Sequence, residues 1–381
     1  MISKKELTKI ALVSAATILM LVNIVGAAPF AYVPNYYDNT TTIFDTDTNT
    51  VVSTVPVGHF PYGAAVSCTD AYVTNEGDNT VTVIDTATQV PIAIVPVGTY
   101  PVGVAVTPDE KKVYVANNGD GTTSVIDTET NKVVTTVTVG VYPLGVAVTP
   151  DGTKVYVTNN GDGSTSVIDT VTNTVAATVP VGAGPIGVVV SPDGTSAYVA
   201  NSGTYNTTTG YSNGDGSVSI INTTTNSVTT VNTGGSPVAI AISPDGKTAY
   251  VVDDYYYVVL VYDTANFGFT TYVDLNNVEP WGISVAPDGI KAYVAMVGSS
   301  YVSVINTATN IAEGAVYVGQ GPYSLGQFIQ PAGCCRPGCP TPKHHKPCEI
   351  TLRTDPTTQS VDLLKFPVGD DCMTFPFGNK H

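Results

Sequence analysis

Short runs of hydrophobic residues, separated by turn residues, follow one another along most of this chain. In residues 101–140 they read PVGVAVTPD, KVYVANN, TSVIDTET and KVVTTVTVG, beginning at Pro101, Lys112, Thr123 and Lys132. The apolar positions are mostly valine and isoleucine, and Gly, Pro, Asn or Asp residues bound each run, which favours β-strands over helices. The pattern predicts four strands within about 40 residues.

A Tyr-Val pair shows that this unit repeats along the chain. The pair begins at Tyr32, Tyr72, Tyr114, Tyr156, Tyr198, Tyr250 and Tyr293. The steps between these tyrosines are 40, 42, 42, 42, 52 and 43 residues. Four strands in about 40 residues is the size of one blade of a β-propeller. The repeats therefore predict an all-β, seven-bladed propeller of four-stranded blades.

The repeat sequences resemble the YVTN family of β-propeller repeats. The motifs that carry the resemblance are AYVTN at Ala71, VYVTNN at Val155, SVIDT at Ser124 and Ser166, and GVAVTPDG at Gly145. The resemblance extends over residues 31 to about 333, and we assign residues 28–333 to the propeller. Such repeats are abundant in archaeal and bacterial surface-layer proteins, so the resemblance implies an envelope role. It indicates fold more than function, because propellers host many unrelated activities.

The order of strands within a blade follows from residue size and from proline. The GVAV run has small residues that suit the narrow central axis. Pro56, Pro96 and Pro180 all fall in the VPVG run, and a missing backbone donor is tolerated on an edge strand. That run should be outermost. The hairpin before it carries Asp127 and Asp169, whose side chains suit tight turns.

The two ends of the propeller complement each other. The repeat region begins with a second strand, residues 31–33, without a first strand before it. After the seventh repeat, PYSLGQFIQPAG from Pro322 aligns with an inner strand. We expect residues 323–330 to pair beside residues 31–34 and so close the ring through the N- and C-terminal strands.

Composition and charge narrow the partners. Hydrophobic residues make up 43% of the 381-residue chain, enough for a substantial core, whereas charged residues make up only 12%. The chain has 15 Lys+Arg against 31 Asp+Glu, a formal net charge of −16. A field of that sign repels phosphate backbones, so nucleic acid is excluded as an expected partner.

The first residues have the pattern of an export signal. Lys4, Lys5 and Lys9 precede a hydrophobic run over residues 10–25, and small residues follow it. We predict a signal peptide over residues 1–27 with cleavage before Ala28. The alternative is an uncleaved anchor, but 16 residues fall short of the ~20 that span a bilayer. An extracellular or cell-surface protein is expected, not membrane-spanning after cleavage.

Catalytic groups are scarce in the repeats. His59 is the only histidine there, and the sequence has no His-x-x-x-His pair, nucleophile elbow or phosphate loop. The acidic residues recur at equivalent turn positions, which indicates a structural role. We expect no enzyme, no catalytic residue and no cofactor. The alternative is a secreted lactonase- or lyase-like enzyme acting in the central channel.

Asn-Gly-Asp-Gly turns at residues 118–121, 160–163 and 213–216 resemble parts of calcium sites. Calcium takes six to eight oxygen ligands, and each turn offers one or two. We interpret them as hairpin turns with positive φ and predict no metal; an ion shared between neighbouring loops is the alternative.

A candidate ligand site is the rim around the central axis. The proline that begins each inner strand has aromatic neighbours in several blades: Phe60, Tyr62, Tyr100, Tyr142, Trp281 and Tyr323. Radial symmetry should gather them at one channel mouth, where aromatic faces suit sugars, peptides or proteins. The expected partner is an envelope polysaccharide or a surface protein. Alternatively, these side chains only plug the channel.

One blade carries an insertion between Asn201 and Gly216, either a binding loop or a solvated excursion. Asn206 in this insertion begins an Asn-x-Thr sequon, as do Asn39 and Asn222. We treat all three as candidate glycosylation sites.

Residues 334–381 form a separate Cys-rich tail. Five of the six cysteines lie there: Cys334, Cys335, Cys339, Cys348 and Cys372. The sixth, Cys68, lies in a turn after an inner strand and is expected near Cys334 or Cys335. Disulfides are the favoured interpretation in an exported protein. A zinc site of Cys339, Cys348, His344 and His345 is the alternative, although its spacing matches no familiar motif.

Overall fold

A computed structural model describes residues 29–206, 211–331, 334, 353–354, 361–368 and 371–376, and these residues are all-β. Seven antiparallel sheets form the blades, which we number in chain order. Blades 1 to 3 comprise β1 Phe30–Asn35, β2 Thr40–Asp45, β3 Thr50–Pro56; β4 Pro61–Val66, β5 Asp70–Asn75, β6 Thr80–Asp85, β7 Val90–Pro96; and β8 Pro101–Val106, β9 Lys112–Asn117, β10 Thr122–Asp127, β11 Lys132–Thr138.

Blades 4 to 7 continue the same order. Their strands are β12 Pro143–Val148, β13 Lys154–Asn159, β14 Ser164–Asp169, β15 Thr174–Pro180; β16 Pro185–Val190, β17 Ser196–Asn201, β20 Ser217–Asn222, β21 Val228–Asn232; β22 Pro237–Ile242, β23 Thr248–Asp253, β24 Val258–Asp263, β25 Gly268–Asp274; and β26 Gly282–Val285, β27 Lys291–Met296, β28 Tyr301–Asn306, β29 Ile311–Tyr317. The insertion of blade 5 forms a hairpin, β18 Tyr205–Asn206 and β19 Tyr211–Ser212.

The predicted seven-bladed propeller is confirmed, and so is the strand order within a blade. In blades 2 to 7 the strand that is first in chain order is innermost, and the fourth pairs on one side only. Pro56, Pro96 and Pro180 each end such an outer strand, where a missing N–H leaves no ladder bond unmade. In the preceding hairpins, Asp127 and Asp169 accept hydrogen bonds from turn N–H groups, as expected.

Blade 1 has three regular strands, and the segment after blade 7 completes it, as predicted. Ala31 forms a bridge with Ile329, and the Tyr32 N–H donates to the Phe328 carbonyl at 2.8 Å. Residues 322–330 form bridges rather than a regular strand. Gly326 is one reason, because its φ of +135° suits only glycine and an added Cβ would lie 2.5 Å from the Ala64 carbonyl oxygen.

The Tyr-Val repeat acts between blades. The repeated tyrosines are buried, and some of their hydroxyl groups bind the next blade. Tyr114 donates to the Asn173 amide oxygen at 2.7 Å, and Tyr293 donates to the Thr46 carbonyl at 2.6 Å. The tyrosine of blade 7 thus binds blade 1. These contacts orient neighbouring blades and hold the ring closed.

In blades 2 to 4, the asparagine at the end of the second strand holds the connection from the preceding blade. Asn117 is fully buried, accepts the Gly98 N–H at 3.2 Å and donates to Thr122 and Ser124 of the third strand. Near the axis, a Cβ on Gly103 would clash with the Leu144 carbonyl of the next blade. Glycine there allows the inner strands to approach closely around the channel.

Three short strands of the tail form one sheet: β30 Arg353–Thr354, β31 Val361–Val368 and β32 Asp371–Pro376. The proposed signal peptide lies outside the described residues, as do Cys335, Cys339, Cys348 and the two histidines of the alternative zinc site. Within the described part of the chain, no helix has the length and apolar character needed to cross a membrane.

Candidate functional site

The two ends of the propeller differ, and we name them by what they carry. The aromatic face is the end where inner strands begin, at positions such as Pro61 and Pro101, and where the connections between blades lie. The disulfide face is the end where inner strands finish, beside Cys68. An inner strand of six residues separates the faces by about 17 Å.

Part of the predicted aromatic cluster comes together at the aromatic face. The ring centroids of Tyr62 and Tyr323 lie 4.6 Å apart, and Trp281 lies 5.5 Å from Tyr323 and 6.3 Å from Tyr62. Phe60 joins them through Tyr36, which stacks on Phe60 at 5.0 Å and lies 5.1 Å from Tyr323. These five side chains form one contiguous aromatic cluster.

Three rings of the cluster occupy one position that all blades share. It is the residue directly after the proline at or just before the start of the inner strand. These residues are Tyr62, Val102, Leu144, Ile186, Val238, Trp281 and Tyr323. Val102, Ile186 and Val238 belong to one buried cluster, against which Tyr62, Leu144 and Trp281 pack. Their side chains close the channel at this end. For Tyr62, Trp281 and Tyr323 the structure therefore favours the plug over an open mouth.

Tyr100 and Tyr142 lie elsewhere on the aromatic face. Among the described residues, no aromatic ring contacts either of them. Both precede the inner-strand proline, as Phe60 does, and all three have positive φ, at 53° for Phe60 and 51° for the two tyrosines. Tyr100 is 52% exposed, Tyr142 57% and Phe60 44%. The six candidates thus divide into a plug and solvent-facing rings, with Phe60 in both settings.

Other aromatic residues of this face escaped the sequence analysis. Tyr36 and Tyr37 of blade 1, and Tyr255 and Tyr256 of blade 6, lie in turns after the second strand. The available signal was their position, since blades 3 and 4 carry Asn-Gly at this turn. The insertion of blade 5 begins at the same turn, and Gly214 of that insertion lies near the Tyr255 ring. Insertion and exposed rings therefore share one face.

Carboxylates border the aromatic cluster. The Tyr36 hydroxyl donates to Glu76 at 3.0 Å. Burial is the main cause that raises the pKa of Tyr36, and the charge of Glu76 raises it further. Burial raises the pKa of Tyr323 to about 12, with nearby Tyr37, Glu279 and Glu76 adding to it. These tyrosines stay neutral and can donate hydrogen bonds.

Asp254, a partly buried carboxyl of this face, has a raised pKa. Desolvation raises its pKa from 3.8 to about 6, and the neighbouring charges of Asp253 and Glu279 add to the shift. A nearby cation would be favoured by this arrangement. Within the described chain, however, no group of three or more His, Cys, Asp or Glu residues has metal-site geometry.

The Asp residues of the Asn-Gly-Asp-Gly turns bind backbone groups. Asp120 accepts the Thr99 N–H at 2.9 Å, and Asp162 accepts the Val141 N–H at 3.0 Å. Asp215, in the inserted loop, accepts the Thr204 N–H at 2.7 Å. In blades 3 and 4 the turn carboxylate thus anchors the connection from the preceding blade, which supports the structural interpretation of these turns.

The central channel opens at the disulfide face as a cavity of about 540 Å³. Its walls are inner-strand residues with small aliphatic side chains, such as Ala105, Val106 and Val148. Glu110 is the one carboxylate among the described lining residues, and it accepts the Cys68 N–H at 2.9 Å. The cavity ends below the plug, so it is closed toward the aromatic face.

The cysteine that lies in the repeats is bonded to the tail. Cys68 and Cys334 form a disulfide with a Cα–Cα distance of 5.0 Å. The sequence had left Cys334 and Cys335 as alternatives for this pairing.

The candidate glycosylation sites differ in setting. The Asn39 amide oxygen accepts the Phe60 N–H at 3.0 Å, so that side chain helps to hold a blade connection. Asn222 is exposed and caps a turn through Thr224 and Thr225. Asn206 lies in β18, and the setting of its side chain falls outside the described part.

Two family models match successive parts of the propeller. A YNCE-like beta-propeller matches residues 48–161, and a Choice-of-anchor I domain matches residues 162–324. The chain is a β-propeller. No curated protein sequence matches the propeller chain.

Several solved structures are similar in fold. Hydrazine synthase from Kuenenia stuttgartiensis is 24% identical with a TM-score of 0.65, covering 74% of this chain and 97% of that one. A functionally unknown protein from Desulfotomaculum acetoxidans DSM 771 is 19% identical, TM-score 0.65, over 77% and 99%. Dihydro-heme d1 dehydrogenase NirN in complex with DHE is 14% identical, TM-score 0.59, over 78% and 74%. At these identities the likeness shows the fold alone.

Proposed function

We infer that this propeller is an exported, cell-surface or secreted interaction protein that binds an envelope polysaccharide or surface protein through its aromatic face. One observation carries this proposal, the concentration of half-exposed aromatic side chains on a single face: Tyr37, Phe60, Tyr100, Tyr142, Tyr255 and Tyr256. Exposed aromatic surface on a soluble fold marks a place where a partner is bound.

The surface location has separate support. The sequence begins with a basic segment and a hydrophobic run over residues 10–25. The Choice-of-anchor I match over residues 162–324 agrees with an anchored or exported protein. The YVTN-like motifs, AYVTN at Ala71 among them, support a surface-layer type of propeller. The net charge of −16 disfavours nucleic acid as the partner.

The channel favours binding over catalysis. A secreted hydrolase or lyase would need converging acid and base groups there. Glu110, the carboxylate among the described lining residues, is already bonded to a backbone N–H, and the other walls are mostly aliphatic. The channel thus supports an interaction role more than the lactonase-like alternative.

Co-sedimentation with the isolated envelope of the source cells tests this proposal. The face variant combines Tyr37→Ser, Tyr100→Gly, Tyr142→Gly and Tyr256→Ser. Its matched control removes exposed apolar side chains at the disulfide face, Val171→Ser and Ile290→Ser, which are 84% and 58% exposed. We expect at least tenfold weaker binding for the face variant and unchanged binding for the control.

Equal binding by the wild type and the face variant would overturn the proposed face. Surface proteolysis of intact cells tests the location independently. Protection of the chain from added protease until the cells are lysed would contradict a cell-surface position.

A further inference from the structure

Three consecutive blades carry the same construction on the aromatic face, which we call a platform. In each, an aromatic side chain before the inner-strand proline lies against the glycine of the turn after the second strand. The pairs are Phe60 with Gly77, Tyr100 with Gly119 and Tyr142 with Gly161. A Cβ added to any of these glycines would lie 2.7 Å from the ring Cδ2. Glycine therefore provides the flat surface against which each ring rests.

The backbone at the platforms argues against a purely structural origin. Tyr100 and Tyr142 have φ of +51°, in the left-handed region that disfavours residues with a Cβ. The equivalent position in blade 5 is Gly184, with φ +61°, and before the closing segment it is Gly321, with φ +62°. Glycine fits there without strain. Strained backbone that holds an exposed side chain points to a role outside the fold.

A carboxylate is bonded to the backbone directly before each of the two exposed tyrosines. Asp120 is bonded to the N–H of Thr99, the residue directly before Tyr100, and Asp162 is bonded to the N–H of Val141, directly before Tyr142. The other oxygens of Asp120 and Asp162 accept from the hydroxyls of Thr122 and Ser164, each at 2.6 Å. A carboxylate has about four acceptor sites, so about two remain on each for further hydrogen bonds. A flat apolar surface next to acceptors matches a sugar ring, whose C–H face is apolar and whose hydroxyls donate.

Charge selects among sugars. Within residues 29–206 and 211–331, the aromatic face has neither lysine nor arginine. The lysines of these residues all lie at the disulfide face: Lys111, Lys112, Lys132, Lys154, Lys247 and Lys291. Glu76, Asp120, Asp162 and Glu279 give the aromatic face its negative charge. A polymer bearing uronate, sulfate or phosphate groups would be repelled. The basic side chain of this face is His59, which is paired with the Asp78 carboxylate at 2.8 Å, and no guanidinium or ammonium group offsets the repulsion.

The platforms also repeat in space. Neighbouring blades differ by one seventh of a turn, so successive platforms lie on the order of 10 Å apart. A polymer that repeats a sugar unit can contact more than one platform, and each further contact gains from the high effective concentration. A single monosaccharide would occupy one platform and bind weakly.

We propose that the platforms of blades 2 to 4 bind an uncharged polysaccharide, with sugar rings on Phe60, Tyr100 and Tyr142. This rests on the proposed function, because it names the partner class of the same face. The surrounding carboxylates accept hydroxyl hydrogen bonds and exclude anionic glycans.

The test uses the full chain and a panel of soluble uncharged polymers (dextran, laminarin and yeast mannan), with polygalacturonate as the anionic counterpart. Affinity electrophoresis and calorimetry measure binding. We expect at least one uncharged polymer to bind and polygalacturonate to bind at least tenfold more weakly. The pair Tyr100→Gly and Tyr142→Gly should weaken binding at least tenfold without lowering the melting temperature, because glycine suits the left-handed backbone.

Tyr272→Ala is the matched control, since Tyr272 is a 57% exposed tyrosine on the outer strand of blade 6, away from the platforms. It should leave binding unchanged. Binding of no uncharged polymer, tighter binding of polygalacturonate, or equal losses in control and platform variants would each overturn the inference. If the envelope still binds through the aromatic face but uncharged polymers do not compete, this inference fails while the proposed function stands.

Discussion

Cys68 and Cys334 lie at two parts of the ring that are distant in sequence, and a disulfide joins them with their Cα atoms 5.0 Å apart. Cys68 follows the inner strand of blade 2, and Cys334 follows the segment that completes blade 1. The Gln330 side chain adds a hydrogen bond to the Cys68 carbonyl at 3.4 Å. The bond therefore fastens the closing segment to the neighbouring blade.

Removing this bond should destabilise the propeller. For Cys68→Ser we expect the free energy of unfolding to fall by about 2–5 kcal/mol, the usual loss for a native disulfide. Thermal unfolding with and without reductant measures it, and reductant should lower the melting temperature of the wild type more than that of the variant. Peptide mapping under non-reducing conditions checks the pairing. Recovery of Cys68 as a free thiol would contradict it.

The closing segment, residues 322–330, should contribute to the free energy of unfolding as much as a core strand does. Phe328 is fully buried, and its carbonyl accepts the Tyr32 N–H. Phe328→Ala should lower the free energy of unfolding by about 3–5 kcal/mol through lost burial and a cavity. Chemical denaturation measures the change. Gln327→Ala is the control, because that side chain is exposed and should change stability by less than about 0.5 kcal/mol. Similar values for both variants would contradict the closure described above.

The buried asparagine that holds the blade connection in blades 2 to 4 gives a third prediction. Asn159 accepts the Gly140 N–H at 3.0 Å and donates to Ser164 and Ser166. Asn159→Ala leaves these buried groups without partners and should cost about 2–4 kcal/mol. The adjacent Asn160 makes one weaker bond, to the Pro185 carbonyl at 3.4 Å, and Asn160→Ala should cost less than about 1 kcal/mol. Equal losses in urea unfolding would show that burial of the amide is not the cause.

Asp254 should make the stability of the propeller depend on pH. Its pKa in the folded state is about 6, above the usual 3.8, so the folded state holds the proton more tightly than the unfolded state. The contribution of Asp254 to the free energy of unfolding is fully present below about pH 4 and is lost as the pH rises toward and through 6. Asp254→Asn removes that loss and should raise the free energy of unfolding by up to about 3 kcal/mol at pH 7.5.

At pH 4 the Asp254→Asn variant and the wild type should unfold at nearly the same temperature. Melting temperatures at the two pH values measure the difference. A variant that is less stable than the wild type at pH 7.5 would show that the carboxylate is stabilised by partners, contrary to the raised pKa.

Much of the fold was predictable because every blade repeats the same local rules. The Tyr-Val period predicted the number of blades, the prolines of the VPVG runs predicted the outer strands, and the surplus strand after Pro322 predicted the closure. These features depend on backbone chemistry and residue size, which the sequence contains directly. The aromatic site was predicted less completely. Proline-adjacent rings were grouped together, whereas the structure separates the residue before the proline from the residue after it.

Seven repeats of a four-stranded pattern determine a seven-bladed propeller by themselves, since each blade can bury its faces only against its neighbours. Tertiary structure decided what the aromatic residues do. The backbone direction at each proline turns Tyr62 and Trp281 into the channel plug and leaves Tyr100 and Tyr142 half exposed over glycines. It also decided which tail cysteine meets Cys68, because the distance between two Cα atoms depends on how the chain returns to its start.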